Sequence, residues 1–330
     1  MNPRAKELDL SAFKEKLSSL AAAQRPFFFL IDFELQKPMV CPLEEAQKLG
    51  FQFEVKGFRN FHPQDRKPTP APLSIAPVPK SVYAKAYQKV VDEIYQGNTF
   101  LLNLTFPSLI QTPLDLEDVF HWAKAPYKLL SQDQFVIYSP ECFVKIKDGY
   151  IYSYPMKGTI DAQQPNAKTL LQTDPKEINE HNTIVDLIRN DLSKVAKEVE
   201  VTRFRYLNKI KTQKNEIYHT SSEIRGKLSP DWKNQLPDIL LGMLPAGSIC
   251  GAPKAKTVSI IQEVEQGPRG YYSGIFGYFD GENLDSAVNI RYLEKNDGQL
   301  IYRSGGGITF LSDLESEYNE LIEKIYVPVV

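Results

Sequence analysis

The sequence has few of the residues that mark disulfide scaffolds, zinc sites and nucleic-acid-binding proteins. Its 330 residues include only three cysteines and four histidines. A small, odd number of cysteines without paired spacing argues against a disulfide framework or a zinc site. The charges of the 39 lysine and arginine residues are balanced by those of 41 aspartate and glutamate residues, which leaves a net charge of −2. The basic residues are scattered, so no nucleic-acid partner is expected.

The N-terminal region also lacks the patterns of export and membrane insertion. It begins with charged residues and shows no signal peptide. The longest apolar run near it, residues 26–31, is far too short to span a bilayer. We therefore expect a cytoplasmic protein with no membrane partner. Its length suits one large domain or two closely packed domains.

Hydrophobic periodicity predicts strands in hairpins separated by long helices, which is the α+β pattern. Helices are predicted over residues 8–23, 81–96, 174–195 and 232–244, after Pro253, and from Ser312 onward. Strands are predicted over residues 26–33, 51–58, 99–106, 134–139, 142–147, 150–155, 213–219, 270–280, 285–294 and 299–304. The proline-rich residues 61–79 predict a connector across the surface.

A loop of small residues, Pro245 to Lys254 (PAGSICGAPK), contains two glycines and precedes a predicted helix. Pro253 suits the first helical position, where a missing N–H costs nothing. Free backbone N–H groups and the helix dipole together favour an anion such as a carboxylate. Taken alone, however, the loop is better explained as an ordinary glycine-rich turn.

Two predicted helices each carry a pair of glutamates three residues apart. Glu177 and Glu180 share a face of one helix, and Glu317 and Glu320 share a face of the last. If the helices face each other, these carboxylates offer the all-oxygen ligation that Mg²⁺ prefers. Exposed helices often carry such pairs, and capping alone explains Glu177.

Three further side chains are candidates for chemistry on a small polycarboxylate. Lys157 ends a strand before Gly158 and Thr159, where a desolvated amine could act as a nucleophile. Glu141 lies in a tight turn and could act as a general acid if burial raised its pKa. Arg291 could bind a carboxylate beside residues 305–307. Spacing alone favours an ordinary surface lysine and a solvated turn glutamate, and it supports a salt bridge at Arg291 equally well.

Six motifs in order resemble those of the chorismate-utilising enzymes over residues 80–330. These enzymes include anthranilate synthase component I, aminodeoxychorismate synthase component I, and the isochorismate and salicylate synthases. The motifs are residues 155–159 (PMKGT), 180–191 (EHNTIVDLIRND), 247–254 (GSICGAPK), 269–274 (RGYYSG), 290–291 (IR), and 305–308 (GGGI) with 317–320 (EYNE). The order and number of motifs make the resemblance specific.

The resemblance implies an α+β fold of two orthogonally packed antiparallel sheets flanked by helices, with the site in the cleft between them. Residues 1–79 would be a shortened N-terminal segment packed on the core. This segment lacks a recognisable form of the family's tryptophan-binding region. Residues 80–330 would be the chorismate-binding catalytic region, in one compact domain overall.

The residue type at position 157 distinguishes branches of this family. Enzymes that make anthranilate have alanine at this position of the motif, whereas aminodeoxychorismate synthases of the PIKGT type have lysine. The resemblance implies that Lys157 attacks C2 of chorismate as the 4-hydroxyl leaves. Ammonia then adds at C4 and expels the lysine, with Glu141 as general acid and base. Residues 100–103 lack the water-activating lysine of isochorismate and salicylate synthases, which disfavours water as the nucleophile.

The resemblance also implies the rest of the site. Mg²⁺ would lie on Glu180 and Glu320, supported by Glu177 and Glu317. Arg291 with Tyr272 would hold the pyruvyl carboxylate. The other implied substrate-binding residues are Gly158, Thr159, Gly247, Ser248, Gly251, Lys254, Gly305 and Gly306. Ser248 stands where threonine is usual, and Cys250 stands where serine is usual.

The implied product is 4-amino-4-deoxychorismate, the precursor of p-aminobenzoate in folate synthesis. None of the three cysteines lies in a glutamine amidotransferase elbow, so ammonia is expected from a separate glutamine amidotransferase subunit. One alternative is anthranilate synthase component I. A second, from another class, is a non-catalytic chorismate-binding regulator.

Overall fold

The computed structural model describes residues 7–63, 66, 71–211, 216–265 and 267–327. Its helices are α1 Leu10–Ala22, α2 Leu43–Ala46, α3 Lys80–Tyr95, α4 Leu116–Trp122, α5 Ala167–Thr173, α6 Pro175–Ser193, α7 Leu236–Gly242, α8 Gly247–Cys250, α9 Lys254–Val264 and α10 Leu314–Glu323. Within these ranges, no helix is long and apolar enough to cross a membrane.

The strands, in chain order, are β1 Phe27–Ile31, β2 Met39–Pro42, β3 Phe51–Val55, β4 Phe58–Arg59, β5 Ser74–Ala76, β6 Leu101–Gln111, β7 Tyr127–Ser131, β8 Phe135–Ser139, β9 Cys142–Lys147, β10 Tyr150–Ser153, β11 Met156–Asp161, β12 Lys197–Lys211, β13 Glu216–Lys227, β14 Gly251–Ala252, β15 Ile275–Phe279, β16 Leu284–Val288, β17 Tyr292–Asn296 and β18 Gln299–Ile308.

These strands form two sheets whose pairings are all antiparallel among the residues described. Sheet A has the order β11-β13-β10-β9-β16-β15-β1-β2, with β12 also paired to β13. Sheet B has the order β14-β6-β18-β17-β8-β7-β3-β4, with β5 also paired to β6. The predicted α+β class with two antiparallel sheets is confirmed. The chain before residue 80 supplies β1 and β2 to sheet A, and β3 to β5 to sheet B.

Strand β1 shows why its sequence is apolar without alternation. Phe27 and Phe29 pack on the side of α1, in a cluster that also contains Phe13. Phe28 points the other way, and its ring lies 5.0 Å from the ring of Phe53 in sheet B. Both faces of the strand are therefore buried, and each buried phenylalanine contributes about 1.5–3 kcal/mol.

One predicted strand is wrong in a way that matters for the site. Residues 285–294 do not form a single strand, because β16 ends at Val288 in sheet A and β17 begins at Tyr292 in sheet B. Arg291 lies in the crossing between the sheets, with φ of +55°. The connection between the two sheets, and not a β-strand, therefore positions Arg291.

Smaller differences concern the ends of elements. Helix α3 begins at Lys80, one residue before the predicted start, and has no side-chain cap. Helix α10 begins at Leu314, two residues after the predicted start, and is capped by Asp313, whose carboxylate accepts from the N–H of Ser316. Pro253 precedes the first turn of α9 instead of lying in it. The predicted strand over 213–219 lies partly outside the described residues, and its described part belongs to the longer β13.

Candidate active site

The small-residue loop at 245–254 folds into the short helix α8 and the two-residue strand β14. The N–H groups of Ile249 and Cys250 both donate to the carbonyl of Ala246. Gly251 and Ala252 pair with Leu102 and Leu101 at the edge of sheet B. Some of the loop's donors are therefore used within the protein, which leaves fewer for an anion than its sequence suggests.

Gly251 fixes the close approach of this loop to sheet B. Its φ is +124°, and a Cβ there would lie 1.8 Å from the carbonyl oxygen of Leu101. We expect Gly251→Ala to lower the free energy of unfolding by about 2–6 kcal/mol, because backbone strain and overlap add. Urea denaturation measures this loss.

Gly97 supplies the matched control for that variant. It also has positive φ, at +76°, but a Cβ there meets nothing within 4 Å. Gly97→Ala should therefore cost only about 1–2 kcal/mol. Equal losses for the two variants would contradict the close contact assigned to Gly251.

Glu141 is held in the turn between β8 and β9 and faces α8. Its N–H donates to Ser139 Oγ at 3.1 Å, and its carbonyl accepts from the N–H of Val288 at 3.2 Å. Its carboxylate Oε1 accepts a hydrogen bond from Ser248 Oγ. Burial raises the pKa of Glu141, while the Ser248 hydrogen bond and the positive charge of Lys157 oppose the rise. The carboxyl group therefore stays protonated to a higher pH than an ordinary glutamate, as a general acid requires.

Lys157 lies in β11 at a bulge in its pairing with β13. Its side chain is about one-third exposed, and Nζ lies 3.1 Å from Oε2 of Glu180 on α6. The next residue, Gly158, has φ of +80°, and a Cβ there would lie 2.6 Å from Oε2 of Glu177. The structure thus brings Lys157 and Gly158 together with the first glutamate pair.

A buried hydrogen-bond network behind Lys157 was missed in the sequence. His181 is fully buried; its Nε2 lies 2.7 Å from Ser222 Oγ, and its Nδ1 lies 3.4 Å from Thr220 Oγ1. The Thr220 hydroxyl donates to the main-chain carbonyl of Lys157. Burial lowers the pKa of His181 to about 4, with a smaller effect from the charge of Arg205, so the imidazole is neutral at pH 7. In the sequence, the position of His181 directly after the candidate metal ligand Glu180 could have indicated that it lies near the site.

The second glutamate pair faces the glycines of β18. A Cβ on Gly306 would lie 3.0 Å from Oε2 of Glu317 and 3.8 Å from Oε1 of Glu320. Glu317 accepts a hydrogen bond from Ser312 Oγ at 2.7 Å. Glu320 lies 2.6 Å from Lys324 Nζ. Gly306 therefore leaves the space that these carboxylates occupy.

Arg291 is joined to that second pair through Lys324. Its Nη1 donates to the Lys324 carbonyl at 3.0 Å, and Lys324 Nζ donates to the Gly305 carbonyl at 3.0 Å. Tyr272 is buried, and burial raises the pKa of its hydroxyl, while the nearby charges of Arg269 and Arg291 lower it. Arg291, Gly305 and Glu320 thus form one contiguous group.

Lys254 contacts a different part of the protein. Its Nζ lies 2.6 Å from Oδ2 of Asp191 and donates to the Met243 carbonyl, also at 2.6 Å. Burial lowers the pKa of this ammonium, and the Asp191 carboxylate opposes that effect. Because the ammonium is engaged inside the protein, the substrate contact expected of Lys254 stays a prediction.

The four glutamates do not form one cluster in the part of the chain that the structure describes. No group of three or more His, Cys, Asp or Glu side chains in that part is placed to hold a metal. The second pair nevertheless offers two carboxylates beside Gly306, and in the first pair Glu177 lies beside Gly158. Mg²⁺ commonly takes only one or two protein carboxylates and keeps several waters. The carboxylates of either pair therefore have the donor chemistry that Mg²⁺ prefers, and the placement of one ion on Glu180 and Glu320 stays a prediction.

The family model for chorismate binding enzymes matches residues 6–329. The chain belongs to this family. An uncharacterized PabA-like protein of Pasteurella multocida is 54% identical over 323 residues, which cover 98% of this chain and 100% of that protein. Aminodeoxychorismate synthase component 1 of Bacillus subtilis is 30% identical over 280 residues, covering 80% of this chain and 58% of that protein.

A solved structure with the same fold is anthranilate synthase component I of Streptococcus pneumoniae. The match has a TM-score of 0.66 at 26% identity and covers 79% of this chain and 60% of that one. The chain thus spans less than two thirds of this structure and of the B. subtilis protein. The sequence-based identification of the family is confirmed, and the protein is a chorismate-utilising enzyme of the aminodeoxychorismate and anthranilate synthase component I family.

Proposed function

We propose that this protein is aminodeoxychorismate synthase component I, which converts chorismate and ammonia to 4-amino-4-deoxychorismate. The observation that carries the proposal is Lys157, a half-buried amine beside Glu180 in β11. A nucleophilic amine at this place supports amination at C4 through a covalent intermediate. Membership of the chorismate binding enzyme family supports chorismate as the substrate.

The proposed reaction has two displacements. Lys157, whose ammonium gives a proton to water before the attack and regains one after release, forms a bond to C2. The C4–O bond breaks as Glu141 gives its proton to the leaving hydroxyl, which departs as water. Ammonia then forms a bond to C4, and the C2–N bond breaks, so that Lys157 leaves as a neutral amine. The ionised Glu141 takes the extra proton from the new C4 ammonium. Chorismate and ammonia thus become aminodeoxychorismate and water, and the enzyme returns to its starting state.

The remaining residues bind and orient the substrate in this proposal. Glu180 and Glu320 would hold Mg²⁺, which supplies positive charge for the ring carboxylate, with Glu177 and Glu317 in support. Arg291 and Tyr272 would hold the pyruvyl carboxylate. The remaining proposed contacts with the substrate come from Thr159, Ser248 and the glycines at 158, 247, 251, 305 and 306.

Ammonia would come from a separate glutamine amidotransferase subunit, or from ammonium salts at high concentration. The test is incubation of the protein with chorismate, Mg²⁺ and ammonium, followed by chromatography and mass spectrometry. We expect 4-amino-4-deoxychorismate. Anthranilate or isochorismate as the main product would refute the assignment, and anthranilate would establish anthranilate synthase component I instead. A non-catalytic regulator would form no product.

The hydroxyl of Thr220 is expected to position Lys157 for this reaction. Thr220→Val removes the donor to the Lys157 carbonyl but keeps the branched shape. We expect kcat for ammonium-dependent turnover to fall by up to about 10²-fold, because small displacements of a reacting group are costly. The KM for chorismate should change little, and Thr220→Ser should restore most of the rate.

Thr257 provides the control for Thr220→Val. It lies in α9 and is also fully buried, and its hydroxyl bonds to the Thr99 hydroxyl and donates to the Pro253 carbonyl. Thr257→Val therefore removes a buried hydroxyl without touching Lys157. If both valine variants lose the same fraction of kcat, the hydroxyl of Thr220 has no positioning role.

A further inference from the structure

A cavity adjoins Glu141, and Lys157 does not line it. Its wall includes Glu141 and Ser248 at one side, and Ile188, Asp191, Met243 and Ala246 from α6 and the chain around α7 and α8. We call it the Glu141 cavity. Pro155, two residues before Lys157, also lines it, so the cavity reaches the chain directly before β11, the strand that carries the proposed nucleophile.

The space within the Glu141 cavity is small. The volume open to the centre of a water-sized molecule is about 20 Å³. A single water needs roughly 10–15 Å³ by the same measure. The cavity therefore suits one molecule of about that size.

The charges around the Glu141 cavity also disfavour a dicarboxylate. None of the fifteen described residues that line it is lysine, arginine or histidine. Its two acidic residues are Glu141 and Asp191, and the Asp191 carboxylate lies 2.6 Å from Lys254 Nζ and 3.0 Å from Lys194 Nζ. Chorismate carries two carboxylates, which need cations or donors, so this wall suits a small neutral molecule instead.

We propose that the Glu141 cavity is the ammonia-binding subsite, from which ammonia reaches C4 of the substrate. The inference rests on the function proposed above, and it assigns the second substrate to a place that is separate from Lys157. Ammonia has about the size of water. Ser248 and Glu141 line the cavity, and oxygen atoms of their side chains can accept its N–H groups. Glu141 is then in place to take the proton that ammonia loses after it adds to C4.

The test narrows the cavity with one substitution and uses a closely matched control. Ala246 lines the cavity, is buried, and has φ of −56° and ψ of 128°. Ala123 is buried in another part of the core, with φ of −62° and ψ of 130°. Valine is thus introduced into almost the same backbone conformation in Ala246→Val and in Ala123→Val.

For Ala246→Val we expect kcat/KM for ammonium to fall at least about tenfold, because the nucleophile loses its place beside C4. The KM for chorismate should stay near that of the wild type. With ammonia withheld, the covalent adduct on Lys157 should form at the wild-type rate. Ala123→Val should resemble the wild type in all three measurements.

A second variant enlarges the cavity, and it tests the proposal even if Ala246→Val does not fold. Ile188→Ala removes an apolar side chain from the wall, and we expect it to raise the turnover of methylamine relative to ammonium. Ile184→Ala, on the same helix but not on the cavity wall, should leave that ratio unchanged.

The outcomes separate the subsite from the proposed function. Wild-type protein without ammonium-dependent turnover would overturn both. Normal wild-type turnover, with the same ammonium kinetics in Ala246→Val and Ala123→Val, would overturn the subsite alone. An unchanged methylamine ratio in Ile188→Ala would also overturn it.

Discussion

Lys157→Ala is expected to lose most ammonium-dependent amination of chorismate, or to change the product. The fall in kcat should exceed about 10²-fold, because the positioned nucleophile is removed and ammonia must react without a covalent intermediate. Steady-state kinetics with product analysis measures both effects. Intact-protein mass spectrometry should also show no chorismate adduct on this variant.

Two further variants separate nucleophilic attack from a purely electrostatic role. Lys157→Arg keeps a positive charge for Glu180, but arginine does not lose its proton and cannot attack. We expect it to be as inactive as the alanine variant. Lys209→Ala removes a surface lysine that pairs with Glu216 in the same sheet, and it should keep wild-type turnover. Unchanged turnover in Lys157→Ala would show that Lys157 is not the nucleophile.

Glu141→Gln should have the second large effect. The amide cannot give a proton to the leaving hydroxyl or take one from the added ammonia, so kcat should fall by about 10²–10⁴-fold. Chorismate binding should remain near that of the wild type, because the charges expected to hold its carboxylates lie elsewhere. Glu263→Gln, which changes an exposed glutamate paired with Lys89, is the control. Equal kcat values for both variants would exclude acid catalysis by Glu141.

The pH dependence of kcat is an independent test of acid catalysis by Glu141. Burial raises the pKa of Glu141, and the carboxyl donates its proton only below that pKa, so activity should be lost as the pH rises through it. The hydrogen bond from Ser248 favours the ionised form and opposes the rise. Ser248→Ala should therefore raise the pKa further and move the alkaline limit of activity to higher pH. A move to lower pH would contradict this assignment.

Elements with local signals were predicted well from the sequence. The hairpin of β9 and β10 follows alternating residues around Asp148 and Gly149, which have φ of +53° and +76°. Two adjacent residues with positive φ suit a two-residue hairpin turn. Lys157, Glu180, Glu317 and Glu320 were singled out because they lie in motifs of the family, and the roles assigned to them stay predictions.

The parts that were missed depend on contacts distant in sequence. Residues 285–294 were predicted as one strand because apolar residues occur on both sides of Arg291. The chain passes from sheet A to sheet B at Arg291, and the sequence pattern does not show this change of sheet. His181 was not predicted because its partners, Thr220 and Ser222, come from β13, about 40 residues later. The placement of Mg²⁺ on glutamates of two helices, which the resemblance implies, stays a prediction, because spacing does not place two helices relative to each other.

The most direct test is the position of nitrogen in the product. The protein would be incubated with chorismate, Mg²⁺ and ¹⁵N-ammonium, and the purified product examined by NMR spectroscopy. The covalent route through Lys157 predicts ¹⁵N bonded to C4, as in 4-amino-4-deoxychorismate. Nitrogen at C2, or anthranilate as the main product, would contradict it, because direct attack by ammonia at C2 leaves no role for Lys157 as the nucleophile.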